Sequence, residues 1–325
     1  MKLKNPLETG PALGMDMAFV TPATLLAPAK LNLFLAITER RADGYHNLVS
    51  VVVPLEFGDT LTAEVADAPS ETVPVLSCTD PDVPCDDTNL VIRAAKAFAE
   101  AAQQRRSVHF HLEKRIPMGA GLGGGSSDGV AALRALNTLA GGKLDASEMG
   151  RLASELGSDC PLFLRGAPVI MRGRGERVET LPEQAARRLR GRRVIVFKPP
   201  FGIPTAWAYR RMAELAVQKA SLGRDGVYLP EADAERLLSE WVSNAAAEPE
   251  ALLFNNLERP AFSKYLAIPT LLEQLRRDHG LAPRMTGSGS ACFAFLKDDA
   301  PVEAITGAIR RGWGDAAFVI VTRIA

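Results

Sequence analysis

Cysteine is scarce. The 325 residues contain four, Cys78, Cys85, Cys160 and Cys292, and none forms a CxxC pair. That argues against a disulfide framework or a zinc site and predicts buried, reduced thiols. An excess of one charge is also missing, with 38 Lys+Arg against 38 Asp+Glu. Neither nucleic acid nor an anionic membrane is therefore expected as a partner. No run of about 18 apolar residues occurs, so no membrane-spanning helix is expected. The opening stretch MKLKNPLETGPALGMDMAFVTP lacks the continuous apolar core of a signal peptide. Residues 1–20 are expected to be poorly ordered, with Met15 or Met17 as alternative starts, and the protein to be cytoplasmic. Internal repeats and low-complexity tracts are absent too.

What is present is an ordinary globular composition, 47% hydrophobic and long enough for one large or two medium domains. Residues 24–38 and 49–57 are apolar and strand-like, and Gly58–Asp59 reads as a turn into a further strand at 60–66. A helix is predicted over 89–104, capped by Asp87 or Thr88. SVHFHLEKRIPM (107–118) alternates as a half-buried strand, which leaves His109 and His111 on a solvated face rather than in a metal site. Helices follow over 127–142, capped by Ser127 or Asp128, and 145–157, with Asp145 or Ser147 as cap and Glu148 near the capping-box position. Residues 158–181 read as short strands with glycine turns. The basic run at 183–193 reads as a solvated helix end and as a domain boundary. Residues 218–250 carry weak signals. Strand–loop–helix elements recur in both halves, so the class is α+β or α/β.

PMGAGLGGGSSDG (117–129) concentrates glycine between a patterned strand and a helix. Such density costs backbone entropy, so bare backbone is required there. Gly119, Gly121 and Gly124 satisfy the spacing of a dinucleotide fingerprint, but the acidic residue some 20 positions on, Asp145, opens a helix instead of ending a strand. No lysine closes the loop as in a P-loop. What remains is successive amides facing an anion, the positive end of the following helix, and two serine hydroxyls. The residues imply a nucleotide-phosphate site.

The same stretch resembles the ATP-binding signature of the GHMP kinases. PAKLNLFLAITERRADGYHNL (28–48) looks like the N-terminal signature of the 4-diphosphocytidyl-2-C-methyl-D-erythritol kinase family, and GSDCPLFLRG, FGIPTAW and MTGSGSACFAF fit it in order. The resemblance runs from about residue 24 to the C-terminus and is weakest over 218–250. It implies an α+β fold of two domains, a ribosomal S5 domain 2-like N-terminal domain over 22–184 and a ferredoxin-like C-terminal domain over 185–325, after an extension over 1–21. It also implies ATP-dependent phosphorylation of the 2-hydroxyl of a cytidine diphosphate-linked methylerythritol, in isoprenoid precursor biosynthesis. ATP is the co-substrate, Mg²⁺ the cofactor, and the chain a monomer or homodimer.

The resemblance makes Asp159 the catalytic base, although the residue alone reads more readily as a turn or cap. It makes Lys30 the group beside that base; alone, Lys30 reads as an edge-strand lysine. Asn32, two residues on, shares the strand face of Lys30 and would line the acceptor site. Tyr45 and His46 match the cytosine pocket, Tyr209 the aromatic on the other face of the base, and Thr205 a residue near the cytidine diphosphate. Asn89 and Lys114 match positions around adenine, and Pro117, Met118, Gly119, Ala120, Gly121, Leu122, Gly123, Gly124, Gly125, Ser126 and Ser127 match the phosphate loop. A second glycine loop, TGSGSA (286–291), suits the acceptor or its diphosphate, or is a tight turn. Val53, Glu56 and Ala120 depart from the common pattern. The rival expectations are another kinase of the superfamily, of mevalonate or homoserine type, and a non-catalytic nucleotide-binding protein. ADGYH counts against the first, and Lys30 with Asp159 against the second.

Overall fold

The computed structural model describes residues 22–65, 74–104, 107–221 and 226–325. The expectation for residues 1–20 lies outside them. In chain order the first part comprises β1 (Ala23–Arg40), β2 (His46–Val65), β3 (Val75–Cys78), α1 (Leu90–Ala101), β4 (Val108–Glu113), α2 (Gly124–Leu139), α3 (Ala146–Leu156), α4 (Cys160–Arg165), β5 (Val169–Gly173), β6 (Arg177–Thr180) and α5 (Glu183–Arg187). There follow β7 (Arg193–Lys198), α6 (Thr205–Ser221), α7 (Glu231–Ser243), β8 (Phe254–Asn255), α8 (Glu258–Phe262), α9 (Ala267–His279), β9 (Arg284–Met285), β10 (Cys292–Phe295), α10 (Val302–Trp313) and β11 (Phe318–Arg323).

Two sheets organise these elements. The larger runs β3-β4-β2-β1-β8, with β5 and β6 continuing from β2. The smaller runs β11-β7-β10-β9, all antiparallel, which is the ferredoxin-like order. Along β2, Val52, Leu61 and Ala63 pack toward α1 and α2, while Val51, Val53, Leu55 and Phe57 pack toward β7, β10 and α7. Burial on both faces explains why VSVVVPLEF reads as an unbroken apolar run.

Several expected boundaries move. β2 does not turn at Gly58–Asp59 but runs straight through it, pairing Gly58 with Pro28. A Cβ at Gly58 would lie 2.3 Å from the Ala27 carbonyl oxygen, so this glycine marks close strand approach beside a bulge in β1. α1 is capped by Asn89, whose side chain accepts from the Val91 amide, and not by Asp87 or Thr88. Residues 160–165 form the short helix α4, not a strand, and Asp159 stands at its N-cap. α3 carries the full Asp145–Glu148 capping box. Only Cys160 and Cys292 are buried; Cys78 is half-buried and Cys85 exposed. His109 and His111 are exposed, as expected.

Candidate active site

α2 begins earlier than its sequence suggests. Its first residue is Gly124 and its N-cap is Gly123, in the left-handed region at φ +75°, with no side chain capping the end. Neither Ser127 nor Asp128 caps it, since both lie inside the helix and are buried. An uncapped first turn leaves its amides free of side-chain partners, which is what an anion site needs. A cavity of about 440 Å³ opens over this turn, lined by Asn89, Lys114 and Pro117 to Ser126. Gly125 has open space where a Cβ would stand. Ser127 stays behind the cavity wall, its hydroxyl buried and unpartnered among the described residues.

The loop is held from behind by ions and by backbone. Lys114 donates to Asp59 at 2.5 Å and to Asp128 at 2.8 Å, all three side chains being nearly sealed from solvent. Asp59 also accepts from the Arg115 and Ile116 amides, which fixes the approach to the loop. Burial pushes the Asp128 carboxyl up to about 7, with the nearby Asp59 charge adding to the rise and Lys114 opposing it. Lys114 itself sits above the ordinary lysine value, because the two carboxylates outweigh its burial. The Lys114 ammonium lies behind Gly124.

The second glycine loop locks onto the first. Gly121 (φ +78°) would place a Cβ 2.6 Å from the Thr286 carbonyl oxygen, and Gly287 (φ +58°) one 3.0 Å from the Gly121 carbonyl oxygen. The Lys30 amide donates to the Leu122 carbonyl, and the Ala291 amide to the Ala120 carbonyl. Asn255 was not singled out from the sequence, yet its side chain donates to the carbonyls of Met285 and Gly287. The tight packing that forbids a side chain at Gly121 is the part of this interlock that glycine in the sequence announces.

Between the two loops lies a narrow cavity of about 270 Å³ that contains Lys30, Asn32, Gly123, Asp159, Tyr209 and Ser288 on its wall. Lys30 Nζ donates to Asn32 Oδ1 at 2.5 Å and stands 4.0 Å from Asp159 Oδ2. Burial lowers the Lys30 pKa, and the Asp159 charge opposes that. Asn32 passes the contact on to Ser50, which donates to the Phe34 carbonyl.

Asp159, Thr205 and Tyr209 are shared with a larger, more open cavity of about 1060 Å³. Tyr45 stands 59% exposed at its rim, with the Arg174 guanidinium 5.1 Å above its ring. His46 is buried with its ring 5.2 Å from that of Tyr209. Burial, with Arg40 nearby, lowers its pKa. Thr205 is hydrogen-bonded to Ser288 at 2.9 Å.

The chain matches the GHMP kinases N terminal domain over residues 89–167 and the GHMP kinases C terminal domain over 234–315. A protein of Gloeobacter violaceus described as 4-diphosphocytidyl-2-C-methyl-D-erythritol kinase is 34% identical over 302 residues, covering 93% of this chain and 94% of that one. A Burkholderia mallei protein of the same description is 37% identical, covering 90% and 91%. A solved structure of 4-(cytidine 5'-diphospho)-2C-methyl-D-erythritol kinase superposes with a TM-score of 0.70 at 34% identity, over 93% of this chain and 100% of that one.

This chain belongs to the GHMP kinases.

Within this GHMP kinase all but one of the site residues singled out from the sequence line three neighbouring cavities, which share wall residues. Pro117 to Ser126 line the first, with Asn89 at its edge. Asn89 is partly spent as a helix cap, and the Lys114 ammonium on two carboxylates. Lys30, Asn32 and Asp159 meet in the second, and Tyr45, His46, Thr205 and Tyr209 line the third. Ser127 alone of the set lines none of them. Arg174, Asn255 and Tyr228 were missed because their partners lie far away in sequence; no local pattern marks them.

Proposed function

We propose that this kinase transfers the γ-phosphoryl group of ATP to the 2-hydroxyl of 4-diphosphocytidyl-2-C-methyl-D-erythritol, a step of isoprenoid precursor biosynthesis in the cytoplasm. The observation that carries the reading is a set of three neighbouring cavities, the middle one holding the buried Lys30 ammonium 4.0 Å from the half-exposed Asp159 carboxylate. ATP lies with its phosphates over the uncapped first turn of α2, where free amides and the helix dipole meet them. The acceptor hydroxyl sits in the middle cavity. Asp159 takes its proton, and Lys30 orients the hydroxyl and offsets the negative charge that grows at the transferred group. Phosphoryl transfer asks mainly for such positioning and charge neutralisation. Transfer is direct, with no phosphoenzyme.

The base end of the acceptor occupies the large cavity, between Tyr45 and Tyr209, with His46 at its polar edge. Aromatic faces suit a flat pyrimidine. Thr205, the first residue of α6, meets the diphosphate beside Ser288.

Mg²⁺ fits the phosphate cavity. No group of three or more His, Cys, Asp or Glu gathers there or elsewhere among the described residues. The ion usually keeps several waters and binds through substrate phosphates with few protein oxygens, and the Ser126 hydroxyl on the cavity wall would supply one. Bound there, it would offset phosphate charge. The chain acts as a monomer or homodimer.

The test is ATP turnover with the cytidine-linked alcohol, set against mevalonate, homoserine and galactose. Turnover with the first alone is expected. Turnover with another of the four in its place would reassign the substrate, and turnover with none would leave a nucleotide-binding protein.

A further inference from the structure

The segment that follows residue 225 gave almost no signal in the sequence, yet it packs behind His46, a residue on the wall of the large cavity. The Leu229 amide donates to the Ile37 carbonyl at the end of β1. The Asn256 side chain donates to the carbonyls of both Ile37 and Val227, and the Val227 side chain is buried. Tyr228 is thereby anchored on both sides. Its hydroxyl lies 3.2 Å from His46 Nε2, and its ring 5.8 Å from the imidazole. The Tyr209 ring lies 5.2 Å from the same imidazole. The histidine packs against both tyrosines, and Nδ1 is the nitrogen left with no hydrogen bond among the described residues.

We infer that Tyr228 is a positioning residue that fixes His46 as a proton donor through Nδ1, and so makes the pocket select cytosine over uracil. The inference rests on the reading of the large cavity as the cytidine site. An imidazole nitrogen is a better acceptor than a phenol oxygen, so the Tyr228 hydroxyl donates to Nε2. A neutral ring then has its proton on Nδ1. Burial and the Arg40 charge lower the His46 pKa and so favour the neutral ring; Tyr209 and Tyr228 pack against it, and Asp159, Arg174, Arg210 and Glu214 line the same cavity. A donor at Nδ1 suits the ring nitrogen N3 of cytosine, an acceptor. Uracil presents N3–H at the same edge and leaves two donors opposed. A site built for one hydrogen-bond pattern rejects the other strongly.

The test compares the wild type with Tyr228→Phe, which keeps the ring and removes the hydroxyl. Each is assayed with the cytidine-linked alcohol and with its uridine counterpart. We expect the cytidine-to-uridine ratio of kcat/KM to fall by about tenfold or more in the variant, with the KM for ATP unchanged. An unchanged ratio overturns the inference. Nitrogen NMR of labelled His46 provides a readout that needs no substrate. An Nδ1–H tautomer in the wild type that becomes a mixture in Tyr228→Phe supports the positioning role, and an Nε2–H tautomer in the wild type overturns it. Should the wild type fail to turn over the cytidine-linked alcohol at all, the functional reading falls and the selectivity inference with it, while the tautomer measurement still decides how Tyr228 and His46 are coupled.

Discussion

Lys30 and Asp159 face one another at 4.0 Å, the ammonium sealed from solvent and the carboxylate 44% exposed. The asymmetry suits a cation whose place is permanent and an acid–base group that must reach an incoming hydroxyl. Replacing Asp159 by Asn is expected to lower kcat by about 10²- to 10⁴-fold, the usual contribution of a positioned base. The side chain makes no capping hydrogen bond, so the thermal midpoint should hold. Near-normal turnover in a folded variant would remove Asp159 from the role.

Gly125 gives a sharper test of the phosphate cradle, because stability and activity should move in opposite directions. It lies in the first turn of α2, and a Cβ there would meet no protein atom within 4 Å. Alanine is the better helix former by up to about 1 kcal/mol, so Gly125→Ala should unfold at equal or higher urea. Its KM for ATP should nevertheless rise, because the methyl group occupies phosphate space. A variant with wild-type ATP kinetics would place the phosphates elsewhere.

At Gly121 the opposite holds. Positive φ and the Thr286 carbonyl at 2.6 Å from a Cβ combine strain with collision. Gly121→Ala should destabilise by at least about 1–3 kcal/mol, read as a fall in the urea midpoint, and both substrates should bind less well because both loops shift.

The Lys114–Asp59–Asp128 cluster predicts a pH dependence. Asp128 titrates near 7 in the folded protein and near its ordinary value of about 3.9 when unfolded. Between those values the folded state holds the extra proton, so its contribution to stability declines as pH rises toward 7. Asn cannot lose a proton. The urea midpoint of Asp128→Asn, relative to wild type, should therefore increase from pH 5 to pH 8. A difference that stays flat or declines would show that Asp128 is already ionised at pH 5.

Tyr45→Ala should raise the KM for the cytidine substrate more than that for ATP. Stability should change little, since the ring is mostly exposed and the Arg174 guanidinium is what lies over it among the described residues. A larger effect on ATP would remove Tyr45 from the base pocket.

The candidate site was legible as a set of cavity-lining residues because it is written in short motifs whose residue types answer to chemistry. Gly119 to Gly125 announce bare backbone, and Lys30 stands out as a charge within apolar β1. Boundaries were less legible. Gly58–Asp59 reads as a turn from its residues alone, but the glycine is there to let β1 approach and the aspartate to hold Lys114 and two amides. Ser127 and Asp128 read as caps because nothing local says that the end of α2 is kept open. Tyr228, Arg174 and Asn255 find their partners across roughly 30 to 180 residues, and no window on the sequence spans that.

β8 joins β1 in parallel, pairing Phe254 with Phe34 and Asn255 with Leu35. A stretch that follows the second sheet's first strand thus lies in the same hydrogen-bonded layer as the strand bearing Lys30. With Ala291 bonded to Ala120 and Ile324 bridged to Leu55, the two halves are stitched at several points. The wall that bears Lys30 and the glycine loop beside it therefore belong to one hydrogen-bonded frame, and backbone bonds contributed by both sheets set the distance between them.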